Sequence, residues 1–349
     1  TTMLSTKGLV HMRSVADELA EELVAFGVKV VFGLPGGENT EVLDAIRRHG
    51  IDFVLVHNES SAVFMADANA RLTGIPGVCL TTLGPGATNA CVGVAHAFLD
   101  RSPILAITAS SDVDLIGRHT HQVLDLQSLF APITKLTVDL TSEQPASTIR
   151  HALALTTNGR PGPVHLGISS KVAALPASGQ ERAVSLQPSR PPAVDPSAMK
   201  QAQAMLASAR RPLLVCGLGL EPESPYAVLR LLAESLDSPV IVTPKAKGAI
   251  PDDHPLSVGT VGLTRTDPVY GILDEADCVV AVGFDVVELV KPWETAAPLL
   301  WIARWPNEDP AIPAQVELVG QIGPMLRHLV DAIGPVQPGW GRSRVKRFR

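Results

Sequence analysis

Two apolar runs separated by one helix-length segment make up the stretch from Phe53 to Thr88. The first run, Phe53 to Val56, leads into a polar cluster that contains Glu59, and the second run, Val78 to Leu83, ends at Gly84-Pro85-Gly86. The segment between the runs has helical periodicity, so the pattern predicts strand, helix, strand. Because the strands of a parallel sheet end at the same edge, Glu59 and the glycine turn are predicted to face one crevice.

The same alternation extends through the first half of the chain. A helix capped by Ser14 precedes a strand at Val28 to Phe32, which ends in the glycine-rich turn Gly33-Leu34-Pro35-Gly36-Gly37. Further strands are predicted at Ile104 to Ala109, near Ile133 and at Val164 to Ile168. Six strands separated by helices predict a doubly wound α/β domain with a mostly parallel sheet.

Residues 171–197 lose this periodicity and are rich in Pro, Ser and Ala, which is typical of an extended linker. A second βα series follows, with strands predicted at Pro212 to Cys216, Val240 to Thr243, Cys278 to Val282 and Leu299 to Ile302. The sequence therefore predicts two doubly wound, mostly parallel-sheet α/β domains, residues 1–170 and a Rossmann-like domain at 198–335. Residues 336–349 are predicted to be a solvated, basic tail.

Composition excludes several classes of protein. Hydrophobic residues make up 46% of the chain and charged residues 18%, which favours a folded globular protein over a disordered one. The formal net charge of −6 gives no electrostatic reason to expect nucleic acid. No apolar run approaches the roughly 18 residues that span a bilayer, and the four cysteines are widely spaced without a CxxC pair. We therefore expect a cytoplasmic protein that contacts no membrane.

Taken alone, Glu59 is most simply interpreted as a helix-start acid that the helix dipole favours, and only the neighbouring glycine turns favour a functional role. Two other motifs are weaker. Gly217-Leu218-Gly219 follows a strand, but Pro222 stands where a dinucleotide fingerprint needs its third glycine. His119 and His121 lack a matched third ligand for a metal site.

Several ordered motifs resemble the thiamine-diphosphate-dependent enzymes of the acetolactate synthase type. In the first domain these are Gly33 to Gly37, Glu59, Phe64 to Asp67, Gly84 to Asn89, His121 to Asp125, Pro132 to Lys135 and Arg160 to Val164. In the second domain they are Lys247 to Pro255 and Gly283 to Glu288. The resemblance implies an N-terminal pyrimidine-binding domain and a central domain.

By this resemblance Glu59 is the catalytic carboxyl, which hydrogen-bonds N1′ of the cofactor's aminopyrimidine and so promotes loss of the proton from thiazolium C2. A largely buried carboxyl group suits that role. The implied cofactor contacts are Leu34, Pro35, Gly36, Glu59, Gly84, Pro85, Gly86 and Asn89. The implied contacts to a 2-keto acid substrate are His121, Gln122 and Lys135.

The sequence also departs from the family. Asn58-Glu59-Ser60 replaces the usual His-Glu-Gln, and no Gly-Asp-Gly motif, which with a later Asn holds Mg²⁺ and diphosphate in the family, occurs in this sequence. We therefore predict one subunit of a split decarboxylase or carboligase, a dimer or tetramer, in which a separate chain holds the diphosphate and Mg²⁺. The alternatives are a fragment of a full-length enzyme and a non-catalytic binding protein. Phe284 to Glu288 resembles the variants that lack flavin, so FAD is not expected.

Overall fold

A computed structural model describes residues 13–112, 115, 122–178, 193–220, 223–261, 269–288, 295–333 and 339–348. The chain divides into two compact units, Thr1–Ser189 and Arg190–Arg349. Each unit contains its own six-stranded sheet, in which every pair of neighbouring strands is parallel and helices flank the strands. The predicted α/β class with two parallel-sheet domains is confirmed.

In unit 1 the strands lie in the order β2-β1-β3-β4-β6-β5. The strands are β1 Val30–Gly33, β2 Asp52–Leu55, β3 Gly77–Thr81, β4 Ile104–Ala109, β5 Thr137–Asp139 and β6 Val164–Ile168. The helices are α1 Val15–Ala25, α2 Thr40–Arg48, α3 Glu59–Thr73, α4 Pro85–Leu99, α5 Leu126–Phe130, α6 Pro145–Thr157 and α7 Ser170–Ala174. In this order β1 lies between β2 and β3, so three glycine-rich or polar strand ends are neighbours.

Both faces of this sheet are covered because alternate side chains of a strand point to opposite faces. Val78 and Leu80 of β3 belong to the cluster that contains α1, α2 and α6, whereas Cys79 belongs to the cluster that contains α3 and α4. The approach of α3 to α4 is close: a Cβ added at Gly93 would lie 2.5 Å from Val63 Cβ. Small residues on these two helices therefore bring their N-termini together above the edge of the sheet.

The strand predicted near Ile133 in unit 1 differs from the structure. Residues 131–133 form a short 3-10 helix, not a strand, because Pro132 lacks an N–H and Thr134 Oγ1 donates back to Phe130 O at 2.8 Å. The strand comes later, at Thr137–Asp139. The helix α4 begins at Pro85, where a proline at the first helical position needs no N–H partner.

In unit 2 the strands lie in the order β12-β11-β10-β7-β8-β9. The strands are β7 Pro212–Cys216, β8 Val240–Val242, β9 Ser257–Thr260, β10 Cys278–Val282, β11 Leu299–Ala303 and β12 Val316–Val319. The helices are α8 Pro196–Ser208, α9 Tyr226–Leu236, α10 Val269–Glu275, α11 Ile322–Ala332 and α12 Gly341–Phe348. The strands β9 and β12, which lie at the two edges, were not predicted.

The ends of the predicted linker and tail are part of the folded units. Residues up to 178 pack on unit 1, where the N–H of Val15 donates to Leu175 O at 2.9 Å. Residues 341–348 are a helix and not a solvated tail: Val345 is buried, and Arg344 donates to both carboxyl oxygens of Glu275. The buried carboxyl of Asp237 accepts from the N–H groups at the start of that helix. No helix within the described ranges is long and apolar enough to cross a bilayer.

Candidate functional site

The predicted crevice lies at the carboxyl edge of the unit 1 sheet. Glu59 is the first residue of α3, which follows β2, and Gly84 is the N-cap of α4, which follows β3. The structure brings these two strand ends into contact, because Asn89 Nδ2 donates to Glu59 Oε2 at 2.9 Å. A second bond, from Ser60 Oγ to Asn89 O at 2.5 Å, ties the same two helix starts together.

The Glu59 carboxyl group is buried, with 5% of the residue exposed. It lies at the N-termini of both α3 and α4, where the partial positive charge of each helix stabilises a carboxylate. Among the described residues, the only hydrogen bond to this carboxyl group is the one from Asn89. Oε2 is therefore held in place, while Oε1 accepts from no described side chain and can take a ligand.

Glycines line this side of the carboxyl group. A Cβ at Gly86 would overlap Thr82 Oγ1 and lie 3.2 Å from Glu59 Oε1, and a Cβ at Gly36 would overlap Thr82 Cγ2. Thr82 thus sits between the turns that follow β1 and β3, next to Glu59. Sequence reasoning missed Thr82 because it lies inside the apolar run, although its place just before the Gly-Pro-Gly turn was a usable signal.

The turn after β1 is held by a residue that the sequence did not single out. Asn39 is buried; its Oδ1 accepts from the N–H of Gly36 at 3.0 Å, and its Nδ2 donates to Leu34 O at 3.4 Å. Leu34 is half-buried and Pro35 is exposed. These bonds fix the backbone of the turn beside Thr82. Asn39 therefore positions the side of the crevice that follows β1, next to the sides formed by Glu59 and by the Gly84 turn.

Of the predicted substrate contacts, Gln122 lies at the crevice. A Cβ at Gly84, whose φ is +56°, would lie 2.7 Å from Gln122 Cβ and 2.9 Å from Gln122 O. Gln122 itself has a φ of +57° and is exposed. His121 lies outside the described residues. The Gly84 turn and Gln122 therefore pack backbone to backbone, which a side chain at position 84 would prevent.

Lys135 lies elsewhere. Its Nζ donates to the carbonyl oxygens of Leu155, Asn158 and Arg160 at 2.6, 2.7 and 2.8 Å. These carbonyls are at the C-terminal end of α6, just before β6 begins, and so at the amino edge of the sheet, opposite Glu59. A cation there satisfies the last carbonyls of a helix and its dipole. The structure does not bring Lys135 to the crevice of this chain and gives it a capping role.

The arrangement fits the aminopyrimidine of thiamine diphosphate. A buried carboxyl oxygen with no partner among the described residues suits a ring nitrogen, and glycine turns let backbone approach a flat ring closely. A cation bound to the diphosphate would require oxygen ligands in addition to this pyrimidine site. Within the described part of the chain, no group of three or more His, Cys, Asp or Glu side chains could hold a metal ion.

Comparison with known proteins agrees with this geometry. Residues 13–129 match the model of the thiamine pyrophosphate enzyme N-terminal TPP binding domain, and residues 199–329 match the model of the thiamine pyrophosphate enzyme central domain. Thiamine pyrophosphate is the same compound as thiamine diphosphate. The two matches correspond in order to the two units of the structure.

Curated relatives are similar over most of this chain. It is 33% identical to the "Probable acetolactate synthase large subunit" of Methanocaldococcus jannaschii over 334 residues, which are 91% of this chain and 56% of that protein. It is 34% identical to the "Probable 2-ketoarginine decarboxylase" of Pseudomonas aeruginosa over 80% of this chain and 50% of that protein. It is 32% identical to the acetolactate synthase of Bacillus subtilis over 93% of this chain and 57% of that protein. The chain spans about half the length of the curated relatives it matches. It belongs to the thiamine pyrophosphate enzyme family, as a member of the acetolactate synthase type that carries the N-terminal and central domains.

Proposed function

We propose that this chain supplies the activating half of a thiamine-diphosphate site that acts on a 2-keto acid, as a decarboxylase or carboligase. The observation that carries the proposal is the buried Glu59 carboxyl group, with Oε2 held by Asn89 and Oε1 directed to the glycine-lined side. The names of the relatives, a decarboxylase of 2-ketoarginine and several acetolactate synthases, support a 2-keto acid as the substrate class.

When bound, thiamine diphosphate supplies an electron sink for cleavage of the bond next to a keto group. Residues of this chain bind and orient the reacting groups at the crevice and exclude water from it. Glu59 Oε1 would hold a ring nitrogen of the cofactor and could pass a proton to or from it. Asn89 fixes the orientation of the carboxyl group, and the apolar packing of α3 on α4 keeps water from it. Gln122, beside the Gly84 turn, is proposed to contact the substrate, together with His121.

We also propose that the diphosphate and its Mg²⁺ are held by a separate chain, so that the complete site is formed between polypeptides. In the family that this chain resembles, a Gly-Asp-Gly motif with a later Asn holds these groups, and residues 1–349 do not contain that motif. The mass of the native gene product distinguishes it from a longer single chain. A native product of roughly twice the printed length would contradict the split arrangement and leave the role of Glu59 unaffected.

An exposed apolar surface on α3 and α4 supports assembly into a dimer or tetramer. The exposed fractions are 41% for Phe64, 39% for Met65 and 87% for Leu72 on α3, and 63% for Val92 and 55% for Leu99 on α4. Met65 and Leu72 lie seven residues apart on one face of α3, as Val92 and Leu99 do on α4, and exposed apolar faces are typical of protein interfaces. Because the same two helices hold Glu59 at their N-termini, we propose that assembly on this surface also sets the position of the site.

The test is Glu59→Gln in the assembly reconstituted with the native partner chain, thiamine diphosphate and Mg²⁺, followed by 2-keto acid consumption. Loss of a positioned proton-transfer group costs about 10²- to 10⁴-fold in rate, and we expect a decrease in that range. Glu41→Gln is the matched control, since Glu41 is also a first-turn acid of a helix that follows a strand. Activity of Glu59→Gln within a factor of two of the wild type would contradict the proposal and favour a non-catalytic role for this chain within the assembly.

A further inference from the structure

The central part of the unit 2 sheet has the geometry at which open α/β sheets bind ligands. The chain leaves β7 toward β8 on one side and leaves β10 toward β11 on the other, so β7 and β10 are neighbours at a topological switch point. Ligands of such sheets bind at the carboxyl ends of these strands, with phosphate groups on the N–H groups of the turn after the first strand. In this chain that turn is Gly217-Leu218-Gly219.

A side chain of the protein itself occupies that position. The N–H of Leu218 donates to Glu288 Oε1 at 2.9 Å and to Oε2 at 2.7 Å. Thr243 Oγ1 donates to Glu288 Oε2 at 2.8 Å. Leu218 follows β7, Thr243 directly follows β8, and Glu288 follows β10, so a single carboxyl group joins the ends of three neighbouring strands.

The glycines of the turn serve this internal contact. A Cβ at Gly217 would overlap Glu288 Oε1 and lie 2.5 Å from Phe284 Cα. The N–H of Gly219 donates to Gly283 O at 2.6 Å, which closes the β7 turn onto the β10 turn. In a nucleotide-binding turn the missing side chain makes room for a pyrophosphate, whereas here the space contains a carboxyl group and backbone.

Charge also opposes a phosphate at this place. A diphosphate would have to displace Glu288 from its donors, and it would enter beside a second acid, because the buried Asp285 is only three residues away on the same loop. Asp285 Oδ1 accepts from the N–H of Val287 at 3.1 Å, so this side chain is fixed within the loop that carries Glu288. Two negative charges in a poorly hydrated crevice repel each other more strongly than they do in water.

We propose that Glu288 is an internal ligand of the unit 2 sheet, which takes the place of a phosphate group and closes the switch-point crevice to FAD, nicotinamide dinucleotides and nucleoside diphosphates. The carboxyl group accepts the hydrogen bonds that phosphate oxygens would accept, and it links the three strand ends permanently. This inference concerns unit 2 alone and does not depend on the function proposed for Glu59.

The experiment compares wild type with Glu288→Ala in thermal unfolding, with sodium acetate, ADP or FAD added. Removing the carboxyl group leaves the Leu218 N–H without its acceptor, so Tm is expected to fall by about 5 °C. Acetate can enter the space that is left and restore part of this loss, whereas sodium chloride at the same ionic strength cannot. Glu234→Ala, a surface glutamate paired with His254, is the control and should show no response specific to acetate.

Two outcomes would overturn the proposal. One is binding of ADP or FAD by the wild type with a Kd below about 100 μM, that is, about 5.5 kcal/mol of affinity or more, which a closed crevice does not allow. The other is a Glu288→Ala protein whose Tm responds to acetate no more than that of Glu234→Ala. If Glu288→Ala does not fold, Glu288→Gln decides. Its amide keeps the shape and an acceptor for Leu218, so at pH 5, well below the raised pKa of Glu288, its Tm should lie within about 2 °C of wild type. A larger loss would contradict the role of internal ligand.

Discussion

Glu59 and Glu288 are carboxyl groups at the carboxyl edges of two six-stranded parallel sheets, yet their surroundings differ in one decisive respect. Within the part of the chain that the structure describes, Glu59 accepts a single hydrogen bond, on Oε2, and Oε1 lies beside Gly86. Glu288 accepts from Leu218 and Thr243 with both oxygens engaged, and the adjacent glycine admits only the carboxyl group itself. The same kind of sheet edge thus gives an open site in unit 1 and a closed one in unit 2. The difference lies in the number of internal donors that meet the carboxyl group.

After the rate loss of Glu59→Gln, the largest effect is expected from filling the open site. In Gly86→Ala the new methyl group overlaps Thr82 Oγ1 and comes within about van der Waals contact of Glu59 Oε1, so the carboxyl group or α4 must shift. A displacement of about 1 Å at a reacting group costs on the order of 10²-fold, and we expect 2-keto acid consumption by the reconstituted enzyme to fall by 10-fold to 10²-fold. Gly37→Ala is the matched control in the neighbouring turn, because a Cβ there meets no atom within 4 Å. Equal activities of the two variants would contradict an open site at Glu59.

A second prediction separates the two edges of the unit 1 sheet. Lys135→Met removes the cation that caps the C-terminal carbonyls of α6, and the unfolding free energy is expected to fall by about 1–3 kcal/mol in urea titration. The rate of 2-keto acid consumption by the folded, reconstituted variant should stay within a factor of two of the wild type. Lys29→Met, which changes an exposed lysine just before β1 at the same amino edge, should alter neither quantity. A rate loss of 10-fold or more in Lys135→Met with normal stability would return Lys135 to the substrate site.

Much of the open site could be predicted from sequence, because strand-end rules are local. Glu59 and Gly84 each follow an apolar run, and a parallel sheet must place both ends at one edge. The carbonyl contacts of Lys135 could not be predicted in this way, since its three carbonyl partners lie 20 to 25 residues further along the chain and meet it only through the packing of α6. The helix α12 was missed for a similar reason, because the carboxyl group of Asp237 that caps its start lies about 100 residues earlier.

The closed site was beyond sequence reasoning altogether. Gly217-Leu218-Gly219 follows a strand, as the turn of a nucleotide site does, but the carboxyl group that meets it belongs to Glu288, 70 residues from Leu218. The incomplete glycine fingerprint lowered the expectation of a dinucleotide, but it gave no indication of what fills the space. Hydrogen bonds over such separations depend on the register of three strands, which local patterns do not specify.

A third prediction uses the pH dependence of the closed site. Burial raises the pKa of Glu288 to about 8, while the hydrogen bonds from Thr243 and Leu218 lower it and the nearby Asp285 carboxylate raises it. Because the folded-state pKa lies above the ordinary value of 4.5, the stability from Glu288 is present in full below that value and is lost as pH rises through about 8. The unfolding free energy of wild type relative to Glu288→Gln should therefore decline between pH 5 and pH 8, by at most about 1.4 kcal/mol per pH unit. A difference that does not change with pH would show that Glu288 is ionised throughout and would sharpen its likeness to a bound phosphate.

The smallest effect is expected from Glu59→Gln on stability, and it bears most directly on the contrast between the two carboxyl groups. Glutamine keeps an acceptor for Asn89, and the loss of the interaction with the helix dipoles is offset by removing an ionisable group from a buried position, so the unfolding free energy in urea should change by less than about 1 kcal/mol. A group that is retained for chemistry need not stabilise the fold, whereas an acid retained only for its interaction with two helix dipoles should. A loss of more than about 1 kcal/mol would favour the structural role for Glu59, because the contribution of an acid at a helix N-terminus is of that size. A small change in stability combined with a large loss of rate would mean that the open site is maintained for its reaction, while Glu288 is maintained for the fold.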